Sequence, residues 1–518
     1  MSLHSNTSNG LVCFTNCLLP QEDGSLLLRD LWIDEQRGVI LDAQRTFFLR
    51  KERPDRTIDL SGNILSPGFL DIQINGAYGF DFSVYDGDDA KYQSGLKNVS
   101  ANIVETGVTS LVPTIITQEK SMYPKLLSLL RPYSPSGGAN LLGWHAEGPF
   151  LQLAKRGAHA PPFILSAPDK WHSFEAVYGE HNLAVREDWE MDVASGKSCG
   201  IGVRMITAAP EIDGVMDVIE ELTKRGVIVS IGHSIASSDI ATRAVQSGAR
   251  LITHLFNAMP QLHHRDPSII GLLGASPHIS PAIPPTVPPT PVSGLPRSAK
   301  VPPPPSAKAL TQLILSESTA PKIAASDEAL SVGATPPMTP THKAPVRMGS
   351  RSEMHLDKGH VAELEFERPF YGLIVDGIHS HPNSVRLAYT AHQDGCVLIT
   401  DAMPMLDPHL RDGVHDWRDG KRLVKEGVRL YIEGTDTLAG SVVTMDTCVR
   451  NFARFTGCSL GEAIKCATYN PAKCLNIENC KGTLRPGADA DFVVLDRQGR
   501  VVSTWVRGIM VWTSLLNV

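Results

Sequence analysis

Hydrophobic and polar positions alternate in short runs at both ends of this chain. Leu26-Leu27-Leu28-Arg29-Asp30-Leu31-Trp32-Ile33 and Gly38-Val39-Ile40-Leu41-Asp42-Ala43 are separated by Gly, Asp and Gln, and the stretches 481–496 and 500–506 read the same way. Runs of this length bounded by turn residues predict antiparallel strands. Residues 1–66 and 476–518 are therefore expected to contribute strands to one small β-sandwich. Between them, strand-like runs alternate with helical stretches, as in Gly214-Val215-Met216-Asp217-Val218-Ile219-Glu220-Glu221-Leu222 ahead of Val227-Ile228-Val229-Ser230. That alternation implies a parallel sheet with crossover helices. The expected fold class is α/β, a (β/α)8 TIM-like barrel split into residues 67–277 and 361–475, with the sandwich built from both termini.

The two barrel parts are separated by a stretch of different composition. From Pro277 to Pro345 the chain carries nearly half of its 37 prolines, including Pro302-Pro303-Pro304-Pro305, with Ser, Thr and Ala between them. Proline fits neither a helix interior nor a central strand, and this composition buries too little apolar surface to order itself. Residues 278–360 are expected to be a disordered insertion. A short helical pattern, Ala309 to Leu315, is its one structured signal, and a reader of Pro-x-x-Pro motifs is a candidate partner.

A net charge of -7 over 518 residues gives no reason to expect nucleic acid or an anionic membrane as partner. No apolar run approaches the ~20 residues of a membrane span. Nine cysteines lie without a CxxC pair, and no basic segment followed by an apolar one opens the chain. Reduced thiols and a cytoplasmic location are the expectation.

Four of the strand-like runs end in a residue able to bind a metal or carry a proton. They are Leu-Leu-Gly-Trp-His-Ala-Glu147, Val-Ile-Val-Ser-Ile-Gly-His233, Ala-Arg-Leu-Ile-Thr-His254 and Cys-Val-Leu-Ile-Thr-Asp401. A parallel barrel brings its strand ends to one rim, so these four can converge. Two neutral imidazoles and a carboxylate would form a three-ligand site with an open position, the arrangement of a hydrolytic zinc. Asp401 would stand beside the water as its base.

Pro67-Gly68-Phe69-Leu70-Asp71 resembles the first barrel strand of the amidohydrolase superfamily, where it introduces a His-x-His metal pair. Here the two positions are Gln73 and Asn75. Amides are poor divalent-zinc ligands beside imidazole, so a single metal is expected. Further motifs follow in order: His-Ala-Glu-Gly-Pro-Phe at 145–150, Lys-Arg-Gly-Ala-His at 155–159, Gly232-His233-Ser234, Thr-His-Leu-Phe-Asn-Ala-Met at 253–259, Asp376-Gly377-Ile378-His379, Thr400-Asp401-Ala402 and Leu438-Ala439-Gly440-Ser441. By these motifs the chain resembles the N-acetylglucosamine-6-phosphate deacetylases over nearly its whole length apart from the insertion.

The resemblance implies hydrolysis of the acetamide of N-acetylglucosamine 6-phosphate, in amino-sugar catabolism. Glu147, His233 and His254 would hold one divalent ion per subunit, zinc first, with iron, cobalt and manganese open by geometry. Gln73 would lie close by in the second shell of ligands. Asp401 would act as base and His159 would polarise the carbonyl. Ala158, His159, Asn257, Ala258, Arg265, Asp376, Gly377, Ile378, His379, Leu438, Ala439 and Gly440 would line the substrate. Arg265 and His379 would meet the phosphate, in a homodimer whose subunits share phosphate contacts. Two alternatives stand beside this reading: a mononuclear amidohydrolase acting on another amide, and an inactive scaffold that recruits partners through the insertion.

Overall fold

The computed structural model describes residues 8–185, 202–275 and 366–514. The expected disordered insertion at 278–360, with its helical pattern at Ala309 to Leu315, lies outside the described residues. Eight parallel strands form the centre: β1 (Phe69–Ile74), β2 (Val108–Ile116), β3 (Gly143–Glu147), β4 (Val203–Ala208), β5 (Ile228–Ile231), β6 (Leu251–Ile252), β7 (Phe370–Ile374) and β8 (Cys396–Ile399). Each pairs in parallel with the next in sequence. The ring closes where Asp401 N–H donates to Gln73 O at 2.9 Å and Asn75 N–H to Ala402 O at 2.8 Å. This is the expected (β/α)8 barrel. Every residue of these strands is buried, as both faces of a closed parallel sheet must be.

Helices return the chain between strands and cover the barrel. Asp89–Ile103, between β1 and β2, starts where the Asp88 carboxylate accepts the amides of Ala90 and Lys91, and buries Tyr92, Leu96, Val99 and Ile103 along one face. The helical stretch read at Gly214 to Leu222 becomes a 3-10 turn at Met216–Val218 running into the helix Ile219–Lys224. At the start of β3, Gly143 takes φ +144, and a Cβ there would meet Val203 O at 1.9 Å. Glycine is required where the chain kinks onto β4.

Both termini build the second layer. A six-stranded sheet contains Ile64–Pro67 paired antiparallel with Phe492–Leu495, and a four-stranded sheet around Leu11–Thr15 packs over it. Period-two alternation divides the strand Phe492–Leu495 between two cores. Phe492 and Val494 join Phe14, Ile33, Leu65 and Trp505, while Val493 and Leu495 join the barrel. Lys481, buried, bridges Asp489 at 2.7 Å and Asp491, and Asp491 also accepts Asn140 Nδ2 at 3.1 Å, which ties this layer to the barrel.

After β8 the chain makes a three-stranded antiparallel sheet, Gly413–Asp416, Arg422–Glu426 and Arg429–Ile432. Among the described residues no helix is long and apolar enough to cross a membrane. Seven described cysteines are free thiols, but Cys480 is disulfide-bonded, which corrects the expectation of reduced thiols throughout.

Candidate metal and active site

The strand ends of β1, β3, β5, β6 and β8 deliver one cluster. Glu147 is the last residue of β3, while His233, His254 and Asp401 each stand two residues beyond their strands. Those three adopt left-handed backbone, with φ of 48°, 27° and 49°. A non-glycine residue holds that conformation only where its surroundings over-determine it, and such positions gather at functional sites.

Glu147 Oε1 lies 2.9 Å from His233 Nε2 and 3.0 Å from His254 Nε2, and the two Nε2 atoms are 3.1 Å apart. All three side chains are buried. His233 Nδ1 faces Lys155 O at 2.7 Å; a carbonyl only accepts, so Nδ1 carries the proton and Nε2 turns its lone pair inward. A lone pair, a carboxylate oxygen and a second imidazole nitrogen converging on one point fit a cation. Burial raises the Glu147 carboxyl, but the two imidazoles outweigh it and hold it well below the usual range. Burial lowers His254, but Glu147 outweighs it and lifts the imidazole to about 9.

Asp401 sits against this trio. Its Oδ1 accepts Asn75 Nδ2 at 2.8 Å and Gln73 Nε2 at 3.3 Å, and Gln73 Nε2 also reaches Glu147 Oε1 at 3.4 Å. The amides of β1 thus serve as donors to both carboxylates. Burial, with the Glu147 charge beside it, raises the Asp401 carboxyl. Main-chain bonds fix its neighbours: Ser441 N–H donates to Asp401 O at 3.0 Å, which brings Leu438, Ala439 and Gly440 alongside. Gly440 takes φ +64, and a Cβ there would meet Met403 Cγ at 2.6 Å.

His159 is buried with its ring centre 4.5 Å from that of His233. Burial and the neighbouring imidazole hold it well below its usual range, so it stays neutral. Ala158, half-buried, precedes it. At the end of β7, Asp376 Oδ1 accepts the amides of Ile378 and His379 at 2.8 Å, and Oδ2 lies 2.6 Å from His379 Nδ1, with Gly377 at φ +81 inside the turn. Asn257 and Ala258 are half-buried in the loop after β6, where Asn257 N–H donates to His254 O at 2.9 Å. Arg265 is exposed, its amide donating to His263 Nδ1 at 3.3 Å.

Thr114, Thr117, Thr207 and Thr253, to which the sequence assigns no role, also enter the site. His145, in the middle of β3, lies 3.2 Å from Thr114 Oγ1 and 2.7 Å from Thr207 Oγ1, and Thr207 continues to Thr253 at 2.7 Å. Burial lowers His145 to about 4, so this network beneath the trio is neutral. Asn75, Thr117 and Thr207 belong to the site environment, and each marks a polar residue within or after a β-branched run, a signal the chain does offer.

Residues 346–511 match the model of the Amidohydrolase family. The chain is 36% identical to N-acetylglucosamine-6-phosphate deacetylase of Rattus norvegicus, covering 97% of this chain and 95% of that one, and equally identical, over the same shares, to that of Homo sapiens. It is 27% identical to that of Bacillus subtilis, with 95% and 98% covered. The fold matches the crystal structure of the deacetylase from Thermotoga maritima with a TM-score of 0.63 at 22% identity, covering 97% of this chain and 100% of that chain. It matches equally, at 22% identity and over 98% and 100%, a Mycobacterium smegmatis deacetylase mutant in complex with N-acetyl-D-glucosamine-6-phosphate.

Proposed function

The chain belongs to the N-acetylglucosamine-6-phosphate deacetylase family, and from that premise we propose how its residues divide the work. The reaction is hydrolysis of the acetamide of N-acetyl-D-glucosamine 6-phosphate to D-glucosamine 6-phosphate and acetate. The observation that carries the assignment of roles is the convergence of Glu147, His233 and His254 beside an Asp401 held by Asn75.

Glu147, His233 and His254 would hold one divalent ion. Bound there, it supplies Lewis acidity that lets a water lose its proton near neutral pH. Zinc suits two imidazoles and one carboxylate with an open position, and iron, cobalt and manganese accept the same donors. Asp401 takes the proton from the water as its oxygen bonds to the acetamide carbon, then returns a proton to the amine nitrogen as the carbon–nitrogen bond breaks. Its raised affinity for protons, a consequence of burial, suits it to both halves of that transfer. His159 donates a hydrogen bond to the carbonyl oxygen as negative charge develops there.

His379, Asn257 and Ala258 face the phosphate, and Leu438 to Gly440 and Asp376 to Ile378 face the sugar. The exposure of Arg265 supports its serving the phosphate of a neighbouring subunit, in a homodimer. The seven free thiols among the described residues favour a cytoplasmic setting, against the single disulfide at Cys480. A scaffold without catalysis finds no support in a site that keeps its base and all three metal-binding side chains.

Acetate release from N-acetylglucosamine 6-phosphate and from unphosphorylated N-acetylglucosamine, before and after chelation, tests the reading. Chelator-sensitive release that strongly prefers the phosphorylated sugar is expected. No release from either sugar by metal-replete protein would overturn it.

A further inference from the structure

Six of the eight barrel strands end in a candidate side chain, and β2 and β4 do not. The residue after β2 is Thr117, and it is 1% exposed. Its main-chain N–H donates to His159 Nδ1 at 3.1 Å. Its hydroxyl lies 2.8 Å from the same ring nitrogen and 3.3 Å from Glu147 O. An amide N–H can only donate. Nδ1 therefore presents a lone pair, and the single proton of the neutral ring stands on Nε2. A proton on Nδ1 would point at the amide proton of Thr117.

We infer that Thr117 is a positioning residue for the deacetylation, holding His159 in the tautomer that offers Nε2–H to the substrate's amide oxygen. The inference rests on the deacetylase reading and adds the residue that makes His159 a donor. In the opposite tautomer the ring would turn a lone pair towards that oxygen and repel it. The position is built from several sides. Ile116 N–H donates to Ser83 Oγ at 3.0 Å and Gln118 N–H to the Tyr123 hydroxyl at 3.2 Å, so the residues flanking Thr117 are tied down. Gly148, with φ +87, leaves room for the hydroxyl: a Cβ there would lie 2.3 Å from Thr117 Oγ1. With Nδ1 as the acceptor, the one hydroxyl proton goes to it, so the amide and the side chain of Thr117 both donate to the same ring nitrogen.

The test reads the tautomer first. Metal-replete enzyme labelled with nitrogen-15 in its histidine rings is examined by long-range proton–nitrogen correlation, with His159→Gln assigning the resonances. A pyridine-type Nδ1 and a pyrrole-type Nε2 are expected for His159. The reverse pattern, or an average of the two, overturns the inference. Kinetics form the second arm. Thr117→Val keeps the amide and loses the hydroxyl, and should lower kcat about tenfold with KM within about twofold and metal content unchanged. Thr117→Ser should restore kcat. Full activity in Thr117→Val, or equal losses in both variants, counts against the side chain's part. The tautomer is read without turnover, so its reversal counts against Thr117, whereas absent acetate release by the wild type counts against the deacetylase reading.

Discussion

Asn75 Nδ2 donates to Asp401 Oδ1 at 2.8 Å, across the seam where the first barrel strand meets the last. An amide thus occupies a position where the superfamily pattern has a metal-binding histidine, and it holds one oxygen of the proposed base.

That contact makes Asn75 a residue of orientation. Asn75→Ala should lower kcat about tenfold, because a base that swings loses the alignment on which proton transfer depends. Metal content measured by elemental analysis should not change. Wild-type turnover in this variant would show that the barrel closure alone fixes Asp401.

Removing the base itself should cost more. Asp401→Asn keeps the shape and abolishes proton uptake, so kcat should fall by ~10²-fold or more. Substrate affinity, measured by calorimetry on the metal-loaded variant, should stay close to wild type. Near-normal kcat would move the general-base role to another group.

The metal cluster answers to a different measurement. His254→Ala removes one of three converging atoms, and the purified variant should lose its divalent ion by elemental analysis while remaining folded by circular dichroism. Full occupancy would remove His254 from the ligand set.

The convergence of Glu147, His233, His254 and Asp401 was legible because each ends a β-branched run, and the closed parallel topology carries such ends to one rim. Thr117 ends a run of the same kind, Leu-Val-Pro-Thr-Ile-Ile-Thr, yet a threonine carries no chemistry of its own and stayed silent until its distance to His159 was known. The partnership of Asn75 with Asp401 spans 326 residues and depends on which strands close the barrel, which local pattern does not contain. The sheet from Gly413 to Ile432 was within reach: Arg422 to Ile432 alternates around Gly427, with Leu423 and Leu430 buried. The disulfide at Cys480 was not, since pairing follows from three-dimensional proximity and not from spacing.

Asp71 should leave a mark on stability. It is buried, and accepts the Thr400 hydroxyl and, at 3.3 Å, the Thr400 amide, joining β1 to β8. Burial, with Asp401 adding to it, raises its carboxyl to about 7 against the pull of Thr400. The folded protein then binds this proton more tightly than the unfolded chain, whose aspartate titrates near about 3.9. Its contribution is complete below about pH 4 and is lost as pH rises towards about 7. In Asp71→Asn, denaturation midpoints should therefore fall less between those two pH values than in wild type. Parallel slopes for the two proteins would show that Asp71 is already ionised in the fold.

Asp376 offers the sharpest separation of binding from chemistry. Its Oδ1 closes the turn by accepting two amides, and its Oδ2 faces His379 Nδ1, so the carboxylate sets both the loop and the ring that we assign to the phosphate. Burial raises this carboxyl, yet His379 outweighs it and holds it below the usual range. Asp376→Ala removes the turn and the charge together and should raise KM for the phosphorylated sugar about tenfold with a smaller change in kcat. Asp376→Asn can keep the turn through Oδ1 and remove only the charge, so it should fall between wild type and the alanine variant. An unchanged KM in both variants would place the phosphate away from His379.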